Sequence, residues 1–121
     1  MNNDITRLET DPRRSRAVVY NGMVFVGGMT ADDRTQDITG QTKQTLAKIE
    51  GYLEKAGTDK SRLLTAQIWL KNLERDFEAM NAVWNAWTAP NSAPTRATAQ
   101  AEMGAPDVLV EIIVTAAAAP N

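Results

Sequence analysis

The chain has 121 residues, of which 43% are hydrophobic and 23% charged, a composition typical of one soluble globular domain spanning residues 1–121. Its net charge of −2 disfavours broad binding to phosphate backbones, so we expect no nucleic-acid partner. The absence of cysteine and histidine excludes disulfides, thiolate nucleophiles, Ser-His-Asp triads and the usual zinc sites, so no metal site is predicted. Acid–base chemistry is left to Asp, Glu, Lys, Tyr or water.

Two further features of the composition concern location and surface charge. No run of residues approaches a membrane-spanning length and the first residues contain no apolar signal core, so we expect a cytoplasmic protein without membrane association. The short basic cluster of Arg13, Arg14 and Arg16 follows Glu9 and Asp11 closely. We interpret this cluster as a solvated surface.

Three short strands are predicted in the first part of the chain: Ile5–Glu9, Ala17–Tyr20 and Met23–Val26. Asn21-Gly22, between the last two, is a strong hairpin signal. Gly27-Gly28 then ends the third run, and paired glycines permit a ligand to approach the main chain closely. A plain exit from the strand explains them equally well, so the sequence leaves both interpretations open.

The middle of the chain predicts two helices on either side of a buried strand. Apolar residues at steps of three and four indicate a helix over Asp37–Ala56, with Gly57 as its C-terminal cap. Leu63–Leu70 is predicted as the strand and Glu74–Thr88 as the second helix. That helix carries an apolar stripe that we assign to packing against a sheet, formed by Leu73, Phe77, Met80, Trp84 and Trp87.

The C-terminal part predicts two strands, Thr95–Met103 and Val108–Thr115, joined as a hairpin by a turn containing Gly104 and Pro106. The second strand is apolar at nearly every residue, as in a strand buried on both faces. The element order is then β-β-β-α-β-α-β-β. It favours a two-layer α+β fold, with both helices on one face of a mixed sheet of about six strands and oligomerisation through the other face.

Two charged residues in these last strands are the sharpest chemical anomaly. Glu111 interrupts an apolar strand, where it is either the partner of a buried cation or a general base or acid. Arg96 is either a solvent-facing or salt-bridged arginine or a bidentate clamp for a carboxylate. In a hairpin the two would lie about 13 Å apart, so a small substrate, a water or a neighbouring subunit would have to join them.

Four segments of the chain resemble the Rid family, also called the YjgF-type family, of enamine/imine deaminases. The segment APTRATAQAEMGAPDVLVEI resembles the family's C-terminal signature, in which Pro-x-Arg precedes a turn and a hydrophobic-Glu-hydrophobic strand. Val18–Gly28 resembles the family's N-terminal hairpin, Gln44–Gly57 its first helix and Phe77–Trp87 its second helix. The resemblance covers nearly the whole chain, in order and spacing, and points to a branch other than the best-studied one.

The resemblance implies a chorismate-mutase-like homotrimer that binds small carboxylates in clefts between subunits. It implies that Arg96 holds the substrate carboxylate and that Glu111 positions the water that attacks the imine carbon. Main-chain groups at Gly28 and Thr98 would help to hold the substrate or the water. The implied reaction is hydrolysis of a 2-imino acid, or its enamine tautomer, to a 2-oxo acid and ammonia, without a cofactor.

The chain departs from the family pattern at three places. A tyrosine near the site of the best-known members corresponds to a position near Arg14, and Tyr20 lies six residues later. The usual Ser-Gly-Gln is replaced by Gly27-Gly28-Met29, and a common cysteine by Thr98. Two alternative functions remain open: a trimeric protein that binds small carboxylates without turnover, and an RNA-cleaving translation inhibitor.

Overall fold

The structure is a computed structural model that describes residues 4–120. Its elements follow the predicted order: β1 (Thr6–Leu8), β2 (Ala17–Tyr20), β3 (Met23–Met29), α1 (Ile38–Lys55), β4 (Leu63–Leu70), α2 (Leu73–Trp87), β5 (Thr95–Gln100) and β6 (Val110–Ala117). A short 3-10 turn at Lys60–Arg62 precedes β4. Neither helix in the described range has the length and apolar character that a membrane span requires.

The six strands form one mixed sheet in the order β1-β2-β3-β6-β4-β5. Only β4 and β5 are parallel, and the other neighbours are antiparallel. Both helices pack on one face of this sheet, which gives the predicted two-layer α+β architecture. The core between the layers is formed mainly by Leu46, Ile49 and Leu53 of α1, Met80 and Trp84 of α2, and Ile68, Leu70, Val110, Ile112 and Val114 of the sheet.

The predicted pairing of the last two strands is wrong. β4 lies between β5 and β6, so these two strands do not form a hairpin. The residues of the predicted turn instead cross the end of β4, where the Lys71 amide donates to the Leu109 carbonyl and the Ala101 amide donates to the Leu70 carbonyl. The strongly apolar β6 takes the centre of the sheet, where it pairs on both sides, and the Ala/Thr-rich β5 takes the edge.

Local signals in the sequence account well for the turn and cap positions. Asn21 and Gly22 both have positive φ angles, 53° and 78°, as a two-residue hairpin of the predicted kind requires. The Asp37 carboxylate caps α1 by accepting from the Gly40 amide. Gly57, at φ 85°, follows the end of α1.

Neither helix covers the opposite face of the sheet, called the outer face below. Strand β6 is therefore buried on one face only: Val110, Ile112, Val114 and Ala116 are buried, whereas the four residues that alternate with them are half-buried. Phe25 and Leu64 are each 42% exposed. Because large apolar side chains remain in contact with solvent there, the outer face suits contact with further copies of the chain.

Candidate functional site

Arg96 lies on the helix-covered face of the sheet, near its edge. Its register partner on β4 is Ala66, which is 3% exposed beneath the helices. The Arg96 Cζ atom lies 5.6 Å from the centre of the Trp84 ring and 6.0 Å from that of Phe77, both on α2. The guanidinium is thus held by cation–π contacts with two aromatic side chains.

The Arg96 guanidinium has no carboxylate within ion-pair distance among residues 4–120. Burial lowers the pKa of Arg96 from its ordinary value. Two buried polar atoms in this part of the chain, Thr98 Oγ1 and Asn81 Oδ1, have no hydrogen-bond partner. Thr98 follows Arg96 on the same face of β5, beside the buried Ile68. A partly desolvated cation with an unsatisfied hydroxyl nearby is suited to bind an anion.

Glu111 lies on the outer face, in the central strand β6. Its register partner on β4 is Trp69, and Gly28 of β3 lies directly against its carboxylate. The side chain is half-buried, and no side chain in the described range forms an ion pair or a hydrogen bond with it. A carboxylate that packing holds in place, and to which no donor of the protein is hydrogen-bonded, can accept a proton from a bound water.

The two consecutive glycines of β3 sit in a break of the β3–β6 register. Val26 pairs with Val114 and Met29 with Ile112, so one extra residue is accommodated between them. A Cβ atom on Gly28 would overlap the Glu111 carboxylate, whereas one on Gly27 would make ordinary contacts with the Arg16 and Ser15 carbonyls. The group that lies against the main chain at Gly28 is thus the Glu111 side chain, and the approach of a ligand to these glycines stays a prediction.

Glu111 and Gly28 line a cavity of about 540 Å³, called the Glu111 cavity below, which also extends to Lys48 of α1. Its wall is strongly basic and is formed partly by Arg13, Arg14, Arg16, Arg34 and Lys48. The three arginines of the β1–β2 loop, interpreted from sequence as solvated surface, thus line the same cavity as the candidate glutamate. Arg13 and Arg14 are exposed, as that interpretation expects. Their place beside Glu111 was not predicted and follows from the pairing of β2 with β3, where the Gly27 amide donates to the Arg16 carbonyl at 2.9 Å.

The structure groups the four candidate residues in two pairs. Gly28 lies against Glu111 on the outer face, and Thr98 lies near Arg96 on the helix-covered face. Arg96 and Glu111 are therefore on opposite faces of the sheet, so the expected 13 Å separation in a hairpin does not apply. Within one chain the sheet itself separates them.

The sequence interpretation also missed a role for the aromatic stripe of α2. Met80 and Trp84 are buried as expected, but Phe77 is 37% exposed and lies beside the Arg96 guanidinium. The spacing of the stripe predicts which side chains share a helix face, but it contains no signal that one of them lies over an arginine from a distant strand.

Gln41 of α1 fixes the chain segments around the Glu111 cavity and is 1% exposed. Its amide nitrogen donates to the Gln36 and Asp107 carbonyls at 3.0 Å, and its amide oxygen accepts from the Leu109 amide at 2.9 Å. These bonds join the loop before α1 to the segment that leads into β6. Gln41 thereby helps to set the position of Glu111.

A second concave region lies apart from both candidate pairs, between α1 and α2. It has a volume of about 600 Å³, and Trp87 borders it with its indole nitrogen donating to the Glu50 carboxylate at 2.5 Å. No group of three or more acidic residues within residues 4–120 is arranged to hold a metal ion.

Comparison with known proteins decides the family. A family model described as Endoribonuclease L-PSP matches residues 5–118. The chain belongs to this family. A RutC family protein of Haemophilus ducreyi is 42% identical over 113 residues, which cover 93% of this chain and 96% of that relative.

Solved structures agree with this assignment. The crystal structure of NMB1025 from Neisseria meningitidis, a member of the YjgF protein family, has a TM-score of 0.94 at 37% identity and 98% coverage of both chains. YyfA from Yersinia pestis, of the Rid protein family, has a TM-score of 0.85 at 25% identity, covering 94% of this chain and 99% of that one. The predicted family and its chorismate-mutase-like fold are confirmed, while these names specify no substrate for this chain.

Proposed function

We propose that this member of the L-PSP/YjgF/RutC family hydrolyses reactive 2-imino acids, or their enamine tautomers, to 2-oxo acids and ammonia. The observation that carries the proposal is a pair of functional groups without protein partners. Arg96 is a partly buried cation with no carboxylate beside it, and Glu111 is a half-buried carboxylate held against Gly28 in a cavity. One group suits a substrate carboxylate and the other suits a water.

The proposed site is composite and is formed by two copies of the chain. Because Arg96 and Glu111 lie on opposite faces of the sheet, one small substrate cannot touch both within one chain. The exposed apolar residues of the outer face favour an assembly in which a neighbouring copy covers that face. We propose a homotrimer in which the β5 edge of one copy, with Arg96, meets the Glu111 cavity of the next.

The chemistry needs few groups because the protonated imine carbon is already electrophilic. Glu111 accepts a proton from a water while the water oxygen forms a bond to the imine carbon and the C=N π electrons move to nitrogen. The same carboxylate then returns a proton to the nitrogen of the tetrahedral intermediate. The C–N bond then breaks as the C=O bond forms, the hydroxyl proton passes to the Glu111 carboxylate, and ammonia takes up that proton and leaves as ammonium. No electron acceptor is consumed, and holding both reactants together supplies much of the rate gain.

Gly28 and Thr98 have supporting roles in this proposal. Gly28 gives the Glu111 carboxylate the space that any side chain would fill, and the main chain around it faces the cavity. Strand β5 is an edge strand, so alternate main-chain groups around Thr98 point away from β4 and can bind a carboxylate oxygen. The substrate carboxylate would then be held by the Arg96 guanidinium and a main-chain amide.

The test supplies an imine made in place by an amino-acid oxidase and follows its disappearance. Hydrolysis should exceed the buffer rate, and Arg96→Ala should lower kcat/KM by about 100-fold or more. Glu111→Gln should lower kcat by roughly 10²- to 10⁴-fold. Arg96→Lys is the matched control for charge, since lysine keeps the cation but loses the bidentate fork.

Calorimetry with 2-oxo acids separates catalysis from binding alone. If 2-oxo acids bind through Arg96 but the wild-type protein hydrolyses no imine faster than buffer, the chain is a small-carboxylate binding protein and the enzymatic proposal fails.

A further inference from the structure

The Glu111 cavity contains more positive charge than hydrolysis of a simple imine requires. Its wall includes four arginines and a lysine but a single carboxylate, that of Glu111. A water-positioning glutamate needs no such surroundings. The excess of cations therefore requires a separate explanation, which rests on the proposed function.

The cations of this wall differ in whether they already have an acidic partner. The Lys48 ammonium donates to the Asp32 carboxylate at 2.7 Å and to the Thr30 carbonyl at 2.6 Å. Arg34 lies 3.4 Å from the Asp107 carboxylate. The remaining three, Arg13, Arg14 and Arg16, form no ion pair among residues 4–120. Arg16 is nevertheless near enough to Glu9, Asp11 and Asp32 to help lower their pKa values, and Arg14 does the same for Asp11.

The loop that carries these three arginines is held in place. The Asp11 carboxylate accepts from the Arg13 amide at 2.8 Å and from the Arg14 amide at 2.9 Å, and the Asp11 amide donates to the Arg14 carbonyl at 2.8 Å. Because the backbone is fixed at its turn, less conformational entropy is lost when the side chains close on an anion.

We infer that the preferred substrate has a second acidic group, so that it is a 2-imino dicarboxylate with a four- or five-carbon backbone. Its α-carboxylate is held by Arg96 of one copy, and its side-chain carboxylate by the Arg13, Arg14 and Arg16 guanidinium groups of the other. The imine carbon then lies between them, beside the water on Glu111. A cavity of about 540 Å³ accommodates such a molecule together with water.

The experiment compares imines that differ in the side-chain carboxylate. Imines of aspartate and glutamate are generated by an oxidase of acidic amino acids, and imines of alanine and leucine by one of neutral amino acids. We expect kcat/KM to be at least about tenfold higher for the dicarboxylates, because a charge-assisted bidentate contact contributes a discrimination of this order. Equal values, or a preference for the neutral side chains, would overturn the inference while leaving imine hydrolysis intact.

Variants that remove one positive charge test which arginines produce the preference for dicarboxylates. Arg14→Gln and Arg16→Gln should each remove most of the roughly tenfold preference for dicarboxylates over monocarboxylates, mainly through KM. Arg7→Gln is the control, because Arg7 is an exposed arginine of β1 that does not line the cavity. A preference that persists in both cavity variants would contradict the inference.

A binding measurement tests this inference even if the proposed hydrolysis fails. If no imine is hydrolysed, calorimetry with 2-oxoglutarate and 2-oxobutanoate still reports on the cavity. Tighter binding of 2-oxoglutarate that weakens in Arg14→Gln supports the inference for a binding protein. Equal affinities for 2-oxoglutarate and 2-oxobutanoate would refute it. It would also be refuted if 2-oxoglutarate gave no heat of binding while a single-stranded RNA oligonucleotide bound and lost affinity in Arg14→Gln.

Discussion

Arg96 and Glu111 lie on opposite faces of one sheet, and strand β4 separates the strands that carry them. A substrate that needs both must bind between two copies of the chain. In the proposed reaction, assembly is therefore required to form the site, and variants that affect assembly should affect turnover as well.

The contact between Gly28 and Glu111 gives a prediction with a neighbouring control. Gly28→Ala should displace the Glu111 carboxylate and lower kcat by roughly 10- to 100-fold, because a catalytic group moved by about 1 Å loses much of its effect. Gly27→Ala places its Cβ in ordinary contact with main-chain oxygens and should retain most activity. Equal losses in the two variants, measured by steady-state kinetics, would refute a role for Gly28 in positioning Glu111.

Gln41 provides a test of how strongly the loop before α1 is joined to the segment that leads into β6. Gln41→Met leaves the Leu109 amide and three carbonyls, those of Arg34, Gln36 and Asp107, without this partner, so the free energy of unfolding should fall by about 2–4 kcal/mol. Gln44→Met is the matched control, since its amide oxygen accepts a single bond, from the Asp33 amide, and should cost about 1 kcal/mol or less. Denaturant unfolding of both variants measures the difference, and equal costs would contradict this role.

The outer face should govern the mass of the protein in solution. We expect the wild-type protein to have three times the 13.2 kDa mass of the chain by light scattering. Phe25→Asp introduces a charge at a 42%-exposed aromatic residue of that face and should shift the mass towards a single chain, with loss of turnover. Ala82→Asp adds the same charge to the exposed surface of α2 and should leave the mass unchanged.

The loop that carries Arg13 and Arg14 should be sensitive to acid. Hydrogen bonds from the Arg13 and Arg14 amides lower the pKa of Asp11 below its ordinary value. The stabilisation of the loop is therefore fully present above the ordinary aspartate pKa and is lost as pH falls through the lower folded value, below about pH 4. A carbon NMR titration of the Asp11 carboxyl should show this depressed pKa, and an ordinary value would contradict the hydrogen-bonded loop.

The sequence predicted those parts of the fold that depend on local signals. Asn21-Gly22 and Gly57 were placed correctly because positive φ angles restrict the residue types that can occupy them. The bounds of β4 were also correct, since a run of apolar residues between two polar segments defines the strand. The chemical anomaly of Arg96 and Glu111 was also visible in the residues themselves, and the family resemblance then implied a role for each.

Pairing between distant segments could not be predicted in the same way. Gly104 and Pro106 are ordinary hairpin residues, and nothing near them indicates that β4, more than thirty residues earlier, separates β5 from β6. The basic cavity was missed for a similar reason. Its arginines come from the β1–β2 loop and from the segment before α1, and only the sheet order brings them to Glu111.

Subunit mixing tests the composite site most directly. Arg96→Ala and Glu111→Gln subunits, each inactive alone, are co-expressed with different tags, and assemblies that contain both are purified and checked by mass. If one copy supplies Arg96 and the next supplies Glu111, each mixed trimer contains one interface out of three that combines two intact groups, so the purified mixed assemblies should have about a third of the wild-type activity. If the mixed assemblies are no more active than either variant alone, the site does not lie between two copies.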